Sequence, residues 1–186
     1  MTLEEIKDLL KRRLKESRYL HSIGVADTAK ELAKLYGADP QKAYLAGLVH
    51  DCAKGYTTNE LIQKVADYGM VLDEDTLSSP QLLHSFVGAC ELKEHFGIDD
   101  PEVFDAVYYH TVGKEDMPAL TAIVYIADAI EPLRDYPGVE AIRAKAHQSL
   151  DRAIYIYTRH MTDYVIEKGQ KVHPNAYKVL KFYESK

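Results

Sequence analysis

The sequence predicts an all-α fold, a helical bundle, and three observations carry that reading. Apolar residues recur with the 3.6-residue period in nearly every segment. Asp39-Pro40, Ser79-Pro80 and Asp100-Pro101 each place a capping side chain before a proline suited to the first helical position. Gly37, Gly69 and Gly97 fall where helices that begin upstream have to stop.

Taken in order, the amphipathic run MTLEEIKDLLKRRLKES predicts a first helix over 3–16, and the second runs 18–36 up to Gly37. Asp39-Pro40 opens 40–53. The capping-box spacing of Thr57 and Glu60 opens 58–68, which Gly69 ends. Ser79-Pro80 and Gly97 bracket 80–96, and Asp100-Pro101 opens 101–110. Further helices are expected over 117–131, 138–147, 149–168 and 174–184. The stretch from Ala122 to Ala127 is β-rich by propensity, but its surroundings and the following Asp128-Ala129-Ile130-Glu131 favour a buried helix. No internal repeat, linker or low-complexity tract interrupts the series.

The 186 residues suit one domain, 1–186, with room for a substantial core. A net charge of -6 argues against broad nucleic-acid or membrane-surface binding, so any anionic substrate must meet local positive groups or metal. No apolar run approaches a bilayer span and the N-terminus does not read as a signal sequence, so a cytoplasmic protein is expected. Cys52 and Cys90 have no partners at zinc-finger spacing and read as reduced core thiols.

Chemistry concentrates on His50-Asp51, which is preceded by His21 and followed by His84, His110 and Asp128 at gaps of about one helix and a turn. Imidazoles and carboxylates suit first-row metals, and this set can hold two ions bridged by one carboxylate. Adjacent helical residues point ~100° apart, so His50 and Asp51 reach one ion only near a helix end, which Gly55 supplies. Asp128 lies in the most apolar helix, where an unpaired carboxylate would cost several kcal/mol and a metal would remove that cost. Singly, each of these residues also reads as a cap, a surface group or an Arg partner. His95, His147 and His160 lack the context and read as structural or exposed.

The order His21…His50-Asp51…His84…His110…Asp128 resembles the HD-domain superfamily of metal-dependent phosphohydrolases. Tyr109-His110-Thr111-Val112-Gly113 through Met117, Ala127-Asp128-Ala129-Ile130-Glu131-Pro132-Leu133-Arg134 and Pro137-Gly138-Val139-Glu140 are similar to its YqeK-type branch of symmetrical bis(5'-nucleosyl)-tetraphosphatases. The likeness runs from Arg18 to His173-Pro174-Asn175. It implies an HD-type bundle with a metal site between helices and iron held by His21, His50, Asp51 and Asp128. It also implies that Asp51 bridges to a second ion on His84 and His110, with manganese or cobalt as substitutes. The implied reaction is hydrolysis of diadenosine tetraphosphate to two ADP molecules. Val112 stands where that branch commonly has Thr, and Leu133 where Gly is common.

On this reading Asp51, His84, His110 and Lys54 carry the catalysis. Lys54 is one turn beyond His50 and can reach a phosphate, or else is a solvated helix-end lysine. Arg134 offers a bidentate phosphate contact, with a surface pair to Asp135 as the alternative. Thr111 and Gly113 suit a phosphate loop or an ordinary turn, and Arg18 lies on the His21 face at the site edge or at the surface. The segment Gly169-Gln170-Lys171-Val172-His173-Pro174-Asn175 resembles the nucleotide-contacting element of the branch, or serves as a capping loop. The competing functions are an HD nucleotidase for mononucleotides and a nonenzymatic nucleotide sensor. The oligomeric state is left open, a homodimer included.

Overall fold

Capping side chains set most of the helix starts. In the computed structural model, which describes residues 1–186, α1 (Leu3–Arg13) starts at a capping box of Thr2 and Glu5, and Thr57 with Glu60 forms another before α4 (Thr58–Asp67). Asp39 caps α3 (Pro40–Val49) and Asp100 caps α7 (Pro101–Tyr109), each through two backbone N–H groups. The remaining elements are α2 (Glu16–Tyr36), α5 (Glu74–Leu77), a 3₁₀ turn (Pro80–Leu82), α6 (Leu83–Phe96), α8 (Ala119–Ile130), α9 (Val139–Ala146), α10 (Leu150–Glu167) and α11 (Pro174–Tyr183). There is no strand, and the β-rich stretch lies inside α8. Gly37, Gly69 and Gly97 take positive φ at helix ends, as expected.

Five expected boundaries differ by two residues or more. Leu14 and Lys15 are both extended, so the helix expected over 3–16 ends at Arg13 and α2 begins at Glu16 rather than 18. The helix expected over 40–53 ends at Val49, and the chain turns through 50–55. The helix expected from Ser79-Pro80 opens as a 3₁₀ turn before α6 begins at Leu83. Pro118 precedes α8 as its cap, which moves that start from 117 to Ala119. One element, α5, was not expected: with four residues it is too short for a period to show, although Asp73 caps it by accepting from the Thr76 N–H.

The apolar helix α8 is the axle of the molecule, buried along almost its whole length and packed on α2, α3, α7, α9 and α10. One continuous core draws on α1–α3 and α6–α11. A small satellite joins Leu61 and Val65 of α4 to Ala53, Leu83 and Val87. Helix α2 lies hard against α3 because Gly47 has no side chain: a Cβ there would stand 2.9 Å from the Ala26 Cα and 3.0 Å from the Val25 O. That close approach brings the last turn of α3, and His50 after it, up to His21 on α2. No helix is long and apolar enough to cross a membrane.

Candidate metal centre

His21 projects from α2, His50 and Asp51 from the turn after α3, His84 from the first turn of α6, His110 from the end of α7 and Asp128 from α8. All six side chains converge on one point. The four imidazoles and Asp51 are buried, and Asp128 is 14% exposed.

Hydrogen bonding dictates which ring nitrogen faces inward. His50 Nδ1 lies 2.6 Å from the Gly47 carbonyl, His84 Nδ1 2.7 Å from that of Gln81 and His110 Nδ1 2.7 Å from that of Val107. His21 Nδ1 lies 3.0 Å from Oε1 of Glu131. Carbonyl and carboxylate oxygens only accept, so every Nδ1 carries a proton, and in the neutral ring, the form that binds metal, Nε2 presents a lone pair to the centre.

Asp51 divides those lone pairs into two sets. Its Oδ2 lies 3.4 Å from His50 Nε2 and 3.8 Å from His21 Nε2, while its Oδ1 lies 3.1 Å from His84 Nε2 and 3.5 Å from His110 Nε2. Asp128 Oδ1 completes the first set, 3.1 Å from His21 Nε2 and 3.8 Å from His50 Nε2. Ligand atoms ~2.0–2.2 Å from a first-row ion stand ~3.0–3.6 Å apart, which is close to these separations.

The arrangement makes little sense without a cation. His84 Nε2 and His110 Nε2 face each other at 3.1 Å with no hydrogen to share. His21 Nε2, His50 Nε2 and Asp51 Oδ1 are buried without a hydrogen-bond partner. Orphaned buried acceptors of this kind are costly, and here they are all aimed at one volume. The donor set is one that can hold metal.

Burial pushes the Asp51 carboxyl up, but positive charge on His50 and N–H donation from His110, His50 and His84, which a bound cation would replace, outweigh it and hold Asp51 well below the usual carboxylate range. Asp128 is likewise depressed against its burial by His21, His50 and Arg134. Burial lowers His84 to about 4, with Asp51 opposing, so its ring is neutral at pH 7.

Cationic side chains ring this acceptor-rich centre. Arg18 Nη1 donates to Asp51 Oδ2 at 2.9 Å, which puts Arg18 in the site rather than at the surface. Arg134 pairs with Asp128 through its Nη2 and donates from Nε to the Asp128 carbonyl at 2.7 Å, so the alternative pair with Asp135 is not formed. Lys54 sits on the exposed turn beyond Asp51 with no ion pair, and loss of hydration lowers its amine despite Asp51 nearby.

A cleft opens beside His110. Its lining includes Thr111, Tyr125, Tyr157 and Thr158, together with Gln170, Lys171, Val172 and His173 from the segment after α10. The Thr111 hydroxyl shares a hydrogen bond with that of Ser85 at 2.9 Å. Gly169, Pro174 and Asn175 do not line the cleft: Gly169 turns the chain after α10, Pro174 starts α11, and the Asn175 amide donates to the Gly113 carbonyl at 3.0 Å. His173 caps α11 and bonds Thr76 at 3.0 Å, and Lys171 pairs with Asp75, so the segment is strapped to the α5 region.

Sequence reasoning missed Glu131 as the His21 partner, Ser85 behind Thr111, and the wall formed by Tyr125 and Tyr157. Glu131 had two available signals, its place in the run from Ala127 to Arg134 and its position as a carboxylate at the end of the most apolar helix. Of the remaining histidines, His147 is exposed, His160 stacks on Tyr136 and His95 lies 3.7 Å from the buried Glu91, all away from the centre. Cys52 is a buried free thiol, while Cys90 is only partly buried.

Comparison with known proteins is consistent with this geometry. The HD domain family model matches residues 18–133. The symmetrical bis(5'-nucleosyl)-tetraphosphatase of Halalkalibacterium halodurans is 40% identical over 90% of this chain and 89% of its own, and that of Bacillus subtilis 37% identical over 95% of both. A crystal structure from Clostridium acetobutylicum, described as an HD superfamily hydrolase involved in NAD metabolism, superimposes with a TM-score of 0.96 at 38% identity, over 100% of this chain and 98% of the other. The chain belongs to the HD domain family, in the branch it shares with these tetraphosphatases.

Proposed function

We propose that residues 1–186 form one phosphohydrolase domain that cleaves diadenosine tetraphosphate symmetrically, giving two ADP molecules. The observation that carries this reading is Asp51, whose two oxygens face separate pairs of imidazole Nε2 atoms and so can bridge two ions. His21, His50, Asp51 and Asp128 would hold the first ion, and Asp51, His84 and His110 the second. Iron is the proposed metal, with manganese or cobalt as substitutes, since the mixed imidazole and carboxylate set suits these ions. When bound, the ions supply Lewis acidity to phosphate oxygens and lower the pKa of a water.

The remaining groups handle a polyanion on an acidic protein. Arg18 and Arg134 each hold a centre carboxylate, leaving guanidinium N–H groups for phosphate oxygens. Lys54, exposed and in no ion pair, adds a positive charge, and Thr111 adds a hydroxyl next to His110 in the chain. The tyrosine-walled cleft, with Gln170, Lys171, Val172 and His173 in its lining, accepts one nucleoside by stacking and polar contacts. A cytoplasmic location is part of this proposal.

The test is product identity. Metal-loaded protein given diadenosine tetraphosphate is expected to yield ADP alone on ion-exchange chromatography. Formation of ATP plus AMP, or turnover restricted to mononucleotides, rejects symmetrical cleavage.

A further inference from the structure

One of the four imidazoles is held differently from the rest. His50, His84 and His110 each donate Nδ1–H to a neutral backbone carbonyl, whereas His21 donates to a carboxylate that is itself 1% exposed. One further hydrogen bond and two features of its surroundings hold that carboxylate in place. Glu131 Oε2 accepts from the Leu133 N–H at 2.7 Å. Gly24, one turn along α2 from His21, leaves the space: a Cβ there would lie 2.6 Å from Oε2. Arg143 grips the backbone of the same turn, donating to the carbonyls of Ile130, Glu131 and Arg134 at 2.8 Å each.

A carboxylate acceptor at Nδ1 makes the opposite nitrogen a stronger donor to metal and holds the ring plane still. The asymmetry of charge runs the same way. The set His21, His50, Asp51 Oδ2 and Asp128 Oδ1 has two ligating carboxylates and Glu131 behind them, while His84 and His110 share only Asp51 Oδ1. We propose that Glu131 is a positioning residue that, through His21, makes the His21–His50–Asp51–Asp128 position the tighter of two metal positions. The inference rests on the reading of the cluster as a metal centre.

The experiment is a cobalt(II) titration of the full chain, followed by visible absorption and by competition with a chelator. Wild-type protein is expected to take up two ions in two phases. Glu131→Gln keeps the size of the side chain but puts an amide where the Leu133 N–H and the His21 ring both donate, and the tight phase is expected to weaken ~10–100-fold while the weak phase stays within about threefold. His84→Ala is expected to show the reverse, a retained tight phase and no second ion. Equal weakening of both phases in Glu131→Gln, or none, overturns the inference alone. Absence of uptake by wild-type protein overturns the metal reading and this inference with it.

A second measurement needs no variant. In zinc-loaded wild-type protein, nitrogen-detected NMR is expected to show all four rings protonated at Nδ1, with the His21 Nδ1 proton furthest downfield because its acceptor is charged. A His21 Nδ1–H that resonates with the other three refutes the carboxylate's role even if Glu131→Gln fails to fold.

Discussion

The sharpest prediction concerns Asp51→Asn set against His84→Ala. Asp51 is the one side chain that serves both proposed ion positions, and its oxygens lie 3.1–3.8 Å from four Nε2 atoms. Asparagine keeps a single neutral oxygen, and its amide nitrogen, a donor, would point into one of the two imidazole pairs and occupy a lone pair meant for metal. Both positions are therefore impaired at once, and with them the several kcal/mol that a metal pair contributes to a phosphoryl transition state. A loss of ~4 kcal/mol corresponds to about a thousandfold in turnover. His84→Ala removes one donor from the second position only. The expected outcome is near-zero metal per chain and at least a ~10³-fold fall in ADP release for Asp51→Asn, against one retained ion for His84→Ala. Elemental analysis and chromatographic ADP assay on variants of unchanged helical circular dichroism make the comparison. An Asp51→Asn protein that still carries two ions, or that turns over within tenfold of wild type, refutes the bridging argument.

Lys54→Ala should leave metal content unchanged and raise KM by about tenfold, the ~1.5 kcal/mol of one charge-assisted contact, and an unaltered KM would remove Lys54 from the substrate path. Metal-free protein should lose stability as acidity rises, because His84 stays neutral to about pH 4 in the native fold but titrates near 6.5 when unfolded. Below pH 6.5 the unfolded chain binds a proton that the native state refuses, so up to ~3 kcal/mol is lost between pH 6.5 and 4. Urea titrations at several pH values check this, and an identical pH slope in His84→Asn would contradict it. Gly47→Ala should cost ~1–3 kcal/mol by forcing α3 off α2, lowering Tm by several degrees in calorimetry; an unchanged Tm would show that the two helices have slack.

How far the sequence reveals this protein depends on whether the cause is local. Proline and aspartate at Asp39-Pro40 and Asp100-Pro101 act within one turn, and both helices start where those pairs say. The break at Leu14-Lys15 carries no proline or glycine, and α1 turns there to pack on α2 and α3, so a periodicity argument runs straight through it. The centre behaves in the same way. Its six residues could be named from residue type and spacing, because the metal-binding chemistry demands those types. Their division into two sets could not, since it depends on which oxygen of Asp51 faces which ring.

Glu131 shows where that boundary falls. Its neighbours Ile130 and Pro132 mark a helix end, and a carboxylate at a helix C-terminus is electrostatically disfavoured. Local rules therefore offer no reason for it to be there. Its partner lies 110 residues upstream, and the space it occupies exists because Gly24 has no side chain. The unfavourable position at the end of α8 is offset by the His21 ring it holds, by the Leu133 N–H and by the Arg143 guanidinium over the same turn. A residue that breaks a local preference while groups from α2 and α9 are arranged around it is one whose role lies in the site rather than in the helix.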